Sequence, residues 1–226
     1  TMLGIDARGT NCGLEWPPNF YLIEEESGTF EELTLSIEPP WRYCGTFGLS
    51  RRPRDGAFYT AGYEFDDIER NSFAVLIRIV PGTWNMTTVG RLTPPPGPRD
   101  TYVKIWALAF SPAGALYAVY ELWTGTHPIR FVLARLNADT GAEEARVTLS
   151  PGILPLGIEF SSDGTLYGWS PSIGLLTINP ATGAVTDVRP GVEDEQVISS
   201  IAFAADGTLY GFPGFMGSGS NEGWIY

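Results

Sequence analysis

The stretch SSDGTLYG at residues 161–168 returns as AADGTLYG at 204–211 and, more loosely, as SPAGALYA at 111–118. An Asp-Gly or Ala-Gly pair between β-forming segments marks a hairpin, because glycine accepts the positive φ that such a turn or its bulge demands. Extended on either side, the copies read GLSRRPRDGAFYTAGY (48–63), ALAFSPAGALYAVY (107–120), GIEFSSDGTLYGWS (157–170) and SIAFAADGTLYGFP (200–213). Each is an apolar run, a turn and a second apolar run. The repeated letters therefore encode two strands and the turn between them.

Downstream of these hairpins lies a second pair of runs around a glycine-containing turn: FAVLIRIVPGTWNMTTVGRL, IRFVLARLNADTGAEEARVTL and GLLTINPATGAVTDV, with NFYLIEEESGTFEELTLSI as the copy nearest the N-terminus. Four strands per copy in up-and-down order make one antiparallel sheet. The turn glycines Gly56, Gly114, Gly164 and Gly207 recur at spacings of 43 to 58 residues. That period belongs to propeller blades rather than leucine-rich or helical solenoids, and no stretch sustains a 3.6-residue apolar period. The expected fold is all-β: a five-bladed β-propeller of four-stranded antiparallel blades, at about 1–40, 41–100, 101–152, 153–194 and 195–226, forming a single domain. Repetition has a physical cause, since one blade cannot cover both of its faces and must stack on similar neighbours. MLGID matches the second strand of a copy and GWIY the third, so both terminal blades are expected to be incomplete. Their open strand edges invite pairing with another chain.

DGTLYG followed by INPATGAVTDV resembles blades of the quinoprotein-like, NHL-like and related bacterial propeller superfamily. The resemblance covers residues 101–226 well and 1–100 weakly. It implies an architecture and says almost nothing about activity, since such folds host many unrelated tasks. The Trp-Asp dipeptides of WD40 repeats are absent, as is a recurring tryptophan-docking motif of the alcohol dehydrogenase quinoproteins.

Composition narrows the function classes. The chain is 226 residues long and 43% hydrophobic, and has 14 Lys and Arg against 26 Asp and Glu, a formal charge of −12. No apolar run is long enough to span a bilayer, so no membrane insertion is expected. The charge repels a phosphate backbone, and nucleic acid is not an expected partner. The one tight basic cluster, Arg51, Arg52 and Arg54, reads as a solvated turn. Residues 1–13 carry no signal-peptide pattern, so any export signal is absent from this sequence or already removed.

Topology divides the connections between two rims. Short stereotyped turns (PRDG, SPAG, SSDG, AADG, ESGT, PGTW, ADTG, PATG) join first to second and third to fourth strands. The opposite rim carries ARGTNCGLEWPPN, YEFDDIERNS, YELWTGTHPI, SPSI and FPGFMGSGSNEG, which vary in length and composition. A rigid scaffold carries its binding groups on such variable loops. Both cysteines, Cys12 and Cys44, fall on that rim and are expected to form a disulfide, which implies a secreted, periplasmic or cell-surface location.

The variable rim is rich in aromatic residues: Trp16, Trp41, Tyr43, Tyr63, Trp123, Trp169 and Phe215. Aromatic faces stack on sugars and peptides, and packing between blades consumes aromatics too. The ligand-binding set expected from sequence is Trp16, Trp41, Tyr63, Glu64, Trp123 and Trp169. Glu64, Asp66, Asp67 and Glu69 share one loop but lack the ordered spacing of a calcium loop, and no metal or cofactor is expected. Asp163 and Asp206 precede turn glycines and are explained by turn chemistry. The single histidine, His127, leaves no His-rich metal site, and no serine sits in a nucleophile elbow. Carboxylates suited to an axial catalytic site are Asp6, Glu64, Asp66, Glu121 and Glu159. The expected function is a non-enzymatic binding or interaction module that recognises a carbohydrate, peptide or protein. The alternatives are a hydrolase or lyase using carboxylates at the axial mouth, and a structural domain of a larger surface protein.

Overall fold

The computed structural model describes residues 2–6, 19–23, 29–33, 36–37, 43–66, 71–92, 102–123, 130–188 and 198–213, and every regular element among them is a strand. Sheet one contains β1 (Met2–Asp6), β2 (Asn19–Ile23) and β3 (Phe30–Leu33). A short β4 (Ser36–Ile37) follows. Sheet two is built from β5 (Tyr43–Arg51), β6 (Phe58–Asp66), β7 (Asn71–Val80) and β8 (Asn85–Arg91). Sheet three contains β9 (Tyr102–Phe110), β10 (Leu116–Trp123), β11 (Arg130–Leu136) and β12 (Glu143–Thr148). Sheet four contains β13 (Gly157–Phe160), β14 (Leu166–Ser170), β15 (Gly174–Ile178) and β16 (Val185–Asp187), and sheet five β17 (Ile198–Phe203) and β18 (Leu209–Pro213).

Within each sheet consecutive strands pair antiparallel, as the up-and-down reading requires. The four copied turn glycines adopt φ of 70° at Gly56, 85° at Gly114, 88° at Gly164 and 87° at Gly207. One stretch departs from its expected place. Ser36 and Ile37 do not continue sheet one; they pair in parallel with Asn85 and Met86, on the outer edge of sheet two. An outermost strand offers a row of unpaired backbone groups, and β4 occupies part of that row.

The first strands of sheets two to five stand side by side in chain order: β5 lies against β9, β9 against β13, and β13 against β17. The sheets therefore fan out from their first strands and stack face to face. Alternation along β7 shows how both faces are covered. Val75, Ile77 and Ile79 join Phe20 of sheet one in one apolar cluster, while Ala74 and Leu76 join Ile105, Leu108 and Leu116 of sheet three in another. A strand buried on both faces reads as an almost unbroken apolar run, as FAVLIRIV does. A third cluster joins Ala107, Ala109 and Val119 to Ile158, Phe160 and Leu166 across sheets three and four.

The copied motif supplies the joint between sheets. Tyr59 on β6 meets Phe110 at the end of β9, with ring centroids 5.1 Å apart and planes at 73°. Tyr117 meets Phe160 at 5.3 Å, and Tyr167 meets Phe203 at 5.4 Å. In each case the tyrosine that follows the turn in one sheet docks on the phenylalanine that precedes the turn in the next. The first and third contacts are edge-on and the second is tilted at 51°; aromatic pairs of this kind contribute about 0.5–1.5 kcal/mol beyond the area they bury.

Close approach of backbones accompanies these joints. A Cβ on Gly48, whose φ is 66°, would lie 2.5 Å from the backbone nitrogen of Leu108, so β5 and β9 meet at a position only glycine fills. Beside it the Ser50 hydroxyl accepts a hydrogen bond from the Phe110 N–H at 2.9 Å.

A double-mutant cycle at Tyr117→Leu and Phe160→Leu, followed by urea unfolding, should return a coupling of about 1 kcal/mol. Additive single effects would show that the rings are neighbours without being a joint.

Candidate functional site

The variable rim is reached by the starts of the first strands and the ends of the second strands, and it is where sequence places the ligand-binding residues. Trp16, Trp41 and Cys12 lie outside the described residues, as do Asp67, Glu69, His127 and Phe215, so the Cys12–Cys44 pairing also falls outside them. Cys44 faces Tyr63 in the register of β5 and β6; Glu64 occupies the next position of β6, and Trp123 ends β10 opposite Tyr102. Tyr63 is 9% exposed and belongs to the apolar cluster between sheets two and three. Of the residues expected to bind a ligand, Trp169 is the one whose side chain is described and half-buried. Its indole nitrogen is buried without an acceptor among the described residues.

A residue not singled out from sequence, midway along β9, forms the best-defined group on the side of sheet three that leads to this rim. The register of β9 against β10 slips between Val119 and Tyr120, which leaves Trp106 as the extra residue of a β-bulge. A bulge re-aims the side chain it carries and breaks alternation. Ile105 accordingly packs towards sheet two, while Trp106 and Ala107 both pack towards sheet four. Trp106 Nε1 donates to Glu121 Oε2 at 3.1 Å, and Lys104 Nζ lies 3.7 Å from the centre of the indole. Lys104 and Glu121 are direct cross-strand partners, so all three side chains share a face. The result is a half-buried aromatic ring fixed at its edge by a carboxylate and capped by an ammonium. Glu121 thus holds Trp106 in place. The sequence signal was the failed alternation at Ile105-Trp106-Ala107.

Glu159, on β13, faces the other way. It is the cross-strand partner of Tyr167, whose ring packs on Phe203 of sheet five, so its side chain enters the junction between sheets four and five. Burial pushes its carboxyl up from the ordinary 4.5 to about 8, because a charged carboxylate loses its hydration there. Gly157 and Trp169, partners two residues away, lie on the same face. Among the described residues no group of three or more His, Cys, Asp or Glu is arranged to hold a metal ion.

The opposite rim holds a correction. Arg52 is not a solvated turn residue: it is 5% exposed. Its N–H donates to Ala57 C=O at 2.8 Å, in the turn position that Ser111, Ser161 and Ala204 hold in other copies. Its guanidinium pairs with Asp55, donates to Asp139 Oδ1 at 2.8 Å and stands 5.0 Å from the centre of the Tyr59 ring. Asp139 belongs to a turn of sheet three, so the arginine ties two sheets together. A buried cation is stable only when paired in this way. The hydrogen bond and charge of Arg52 hold the Asp55 carboxyl well below the usual carboxylate range. Arg51 and Arg54 remain exposed. Asp163 and Asp206 behave as turn residues, accepting the N–H of Thr165 and of Thr208 at 2.9 Å each. Those bonds lower both carboxyl pKa values, with the Ser161 hydroxyl acting first at Asp163.

The groups Arg52, Arg54 and Arg135, with Asp139 and Glu144, line a surface groove of about 360 Å³ between these turns. Arg54 approaches Asp139 at 3.5 Å, and Arg135 approaches Glu144 at 3.1 Å.

No family model matches this chain, and no curated protein matches it. Among solved structures, a protein of unknown function from Dyadobacter fermentans aligns with a TM-score of 0.51 at 10% identity, over 78% of this chain and 54% of that one. The PQQ-bound aldose sugar dehydrogenase of Streptomyces coelicolor aligns with a TM-score of 0.43 at 18% identity, over 74% and 56%. The WD40 β-propeller domain of Doa1 aligns with a TM-score of 0.36 at 8% identity, over 92% and 84%. This chain spans little more than half the length of the first two. At these identities the likeness is one of fold alone.

The raised pKa of Glu159 sets a pH dependence. Between pH 4.5 and about 8 the folded protein retains a proton that the unfolded chain has released, so stability falls as pH rises through that window. The loss is on the order of 3 kcal/mol after allowance for partial solvent screening. Urea unfolding of Glu159→Gln should show this component of the decline removed; a variant that tracks the parent at every pH would place the carboxyl in water.

Proposed function

We propose that the protein is a non-enzymatic binding module, a five-bladed propeller whose variable rim recognises a carbohydrate or peptide. The observation that carries this reading is the Lys104–Trp106–Glu121 group. A tryptophan held by a hydrogen bond at its edge and a cation over its face is preorganised, and little side-chain entropy is lost when a ligand stacks beside it. Glu121 is occupied in holding the indole, which supports recognition over a catalytic role for that carboxylate. In this reading the half-buried Trp169 supplies a second aromatic ring.

A second reading, a hydrolase or lyase, draws support from Glu159. A carboxyl protonated at neutral pH is a suitable general acid, and it stands on a first strand. Catalysis in this reading needs a second reacting group beside Glu159.

The readings separate in one experiment. A ligand selected on glycan and peptide arrays should quench tryptophan fluorescence, and Trp106→Ala should weaken its binding about thirtyfold, as for a buried aromatic anchor, with thermal unfolding recorded as the folding control. Unchanged affinity in a folded Trp106→Ala protein would remove the recognition reading. Turnover of the selected ligand, lost in Glu159→Gln, would replace it with the enzymatic one.

A further inference from the structure

The groove between the turns of sheets two and three lies at the other end of the sheets from the recognition surface proposed above. It departs from the repeat in a directed way. Where other copies place Ser111, Ser161 or Ala204, sheet two places Arg52, and one residue is added to the turn. Arg52 is committed to Asp55 and Asp139, but its neighbours are not. Arg54 and Asp139 are both about two-thirds exposed and 3.5 Å apart, and Arg135 and Glu144 are both substantially exposed at 3.1 Å. Exposed pairs of this kind contribute about 0–1 kcal/mol, so an incoming anion displaces them at little cost.

The lining selects among anions. A dianionic phosphate meets two carboxylates at short range within a chain of formal charge −12, and that repulsion opposes it. A neutral sugar brings no anion to replace the carboxylates with which Arg54 and Arg135 are paired. A ligand with one carboxylate and several hydroxyls satisfies both halves: its carboxylate accepts from Arg54 and Arg135, and its hydroxyls donate to the free lone pairs of Asp139 and Glu144. The groove volume of about 360 Å³ lies within the range of small-molecule sites. We propose that this groove binds an acidic sugar of the hexuronate class, with Arg54 and Arg135 clamping the carboxylate and Asp139 and Glu144 taking the hydroxyls.

Calorimetric titration at low ionic strength with D-glucuronate, D-glucose and inorganic sulfate tests the assignment. Saturable binding of glucuronate is expected at millimolar concentration. It should weaken about tenfold in Arg54→Gln and in Arg135→Gln and weaken with added salt. Both arginines are exposed, so these variants should fold, and unfolding curves check that they do. Trp106→Ala should leave glucuronate binding unchanged, which separates this groove from the rim site. Equal binding of glucose, equal binding of sulfate, full affinity in both arginine variants, or no saturation by glucuronate would each overturn the proposal.

Discussion

From sheet two to sheet five, each sheet is joined to the next by a tyrosine packed against a phenylalanine. Tyr59 on Phe110, Tyr117 on Phe160 and Tyr167 on Phe203 are one contact made three times. Both residues lie within a few positions of the same hairpin turn, so a short motif carries the two halves of a joint and needs only another copy beside it. That requirement explains why the motif is repeated. A four-stranded sheet with two apolar faces has no stable existence alone in water, and self-complementary neighbours resolve it.

Stacking places its heaviest demands on the first strands, which stand closest together. Gly48 admits the backbone of Leu108, and Ser50 hydrogen-bonds across the same junction. The bulge at Trp106 lies on such a strand. There the register must slip so that two successive side chains face the same way, and the local cost gives a tryptophan aimed into a junction and held by Glu121 and Lys104. The most distinctive side-chain geometry arises here as a departure from the pattern that builds the scaffold.

The two rims differ for the same reason. Turns on one rim take part in the joints between sheets, and Arg52 shows how far this extends: a cation in a turn becomes part of the interior because Asp139, 87 residues away, lies on the adjacent turn. Connections on the other rim vary in length and composition along the sequence. The arginine groove is a local exception, a place where the constrained rim gathers exposed charged side chains.

Sequence alone determined the hairpins, the positive-φ glycines, the up-and-down order and the turn roles of Asp163 and Asp206, because each depends on residues a few positions apart. Tertiary structure decided what depends on which sheets meet. Tyr63 is core because sheet three covers it, Arg52 is buried because of a distant aspartate, and Trp106 is aimed by a register slip. Glu159 holds its proton because sheet five excludes water from it. Burial and register are properties of pairs of segments, and a pattern read along one segment does not contain them.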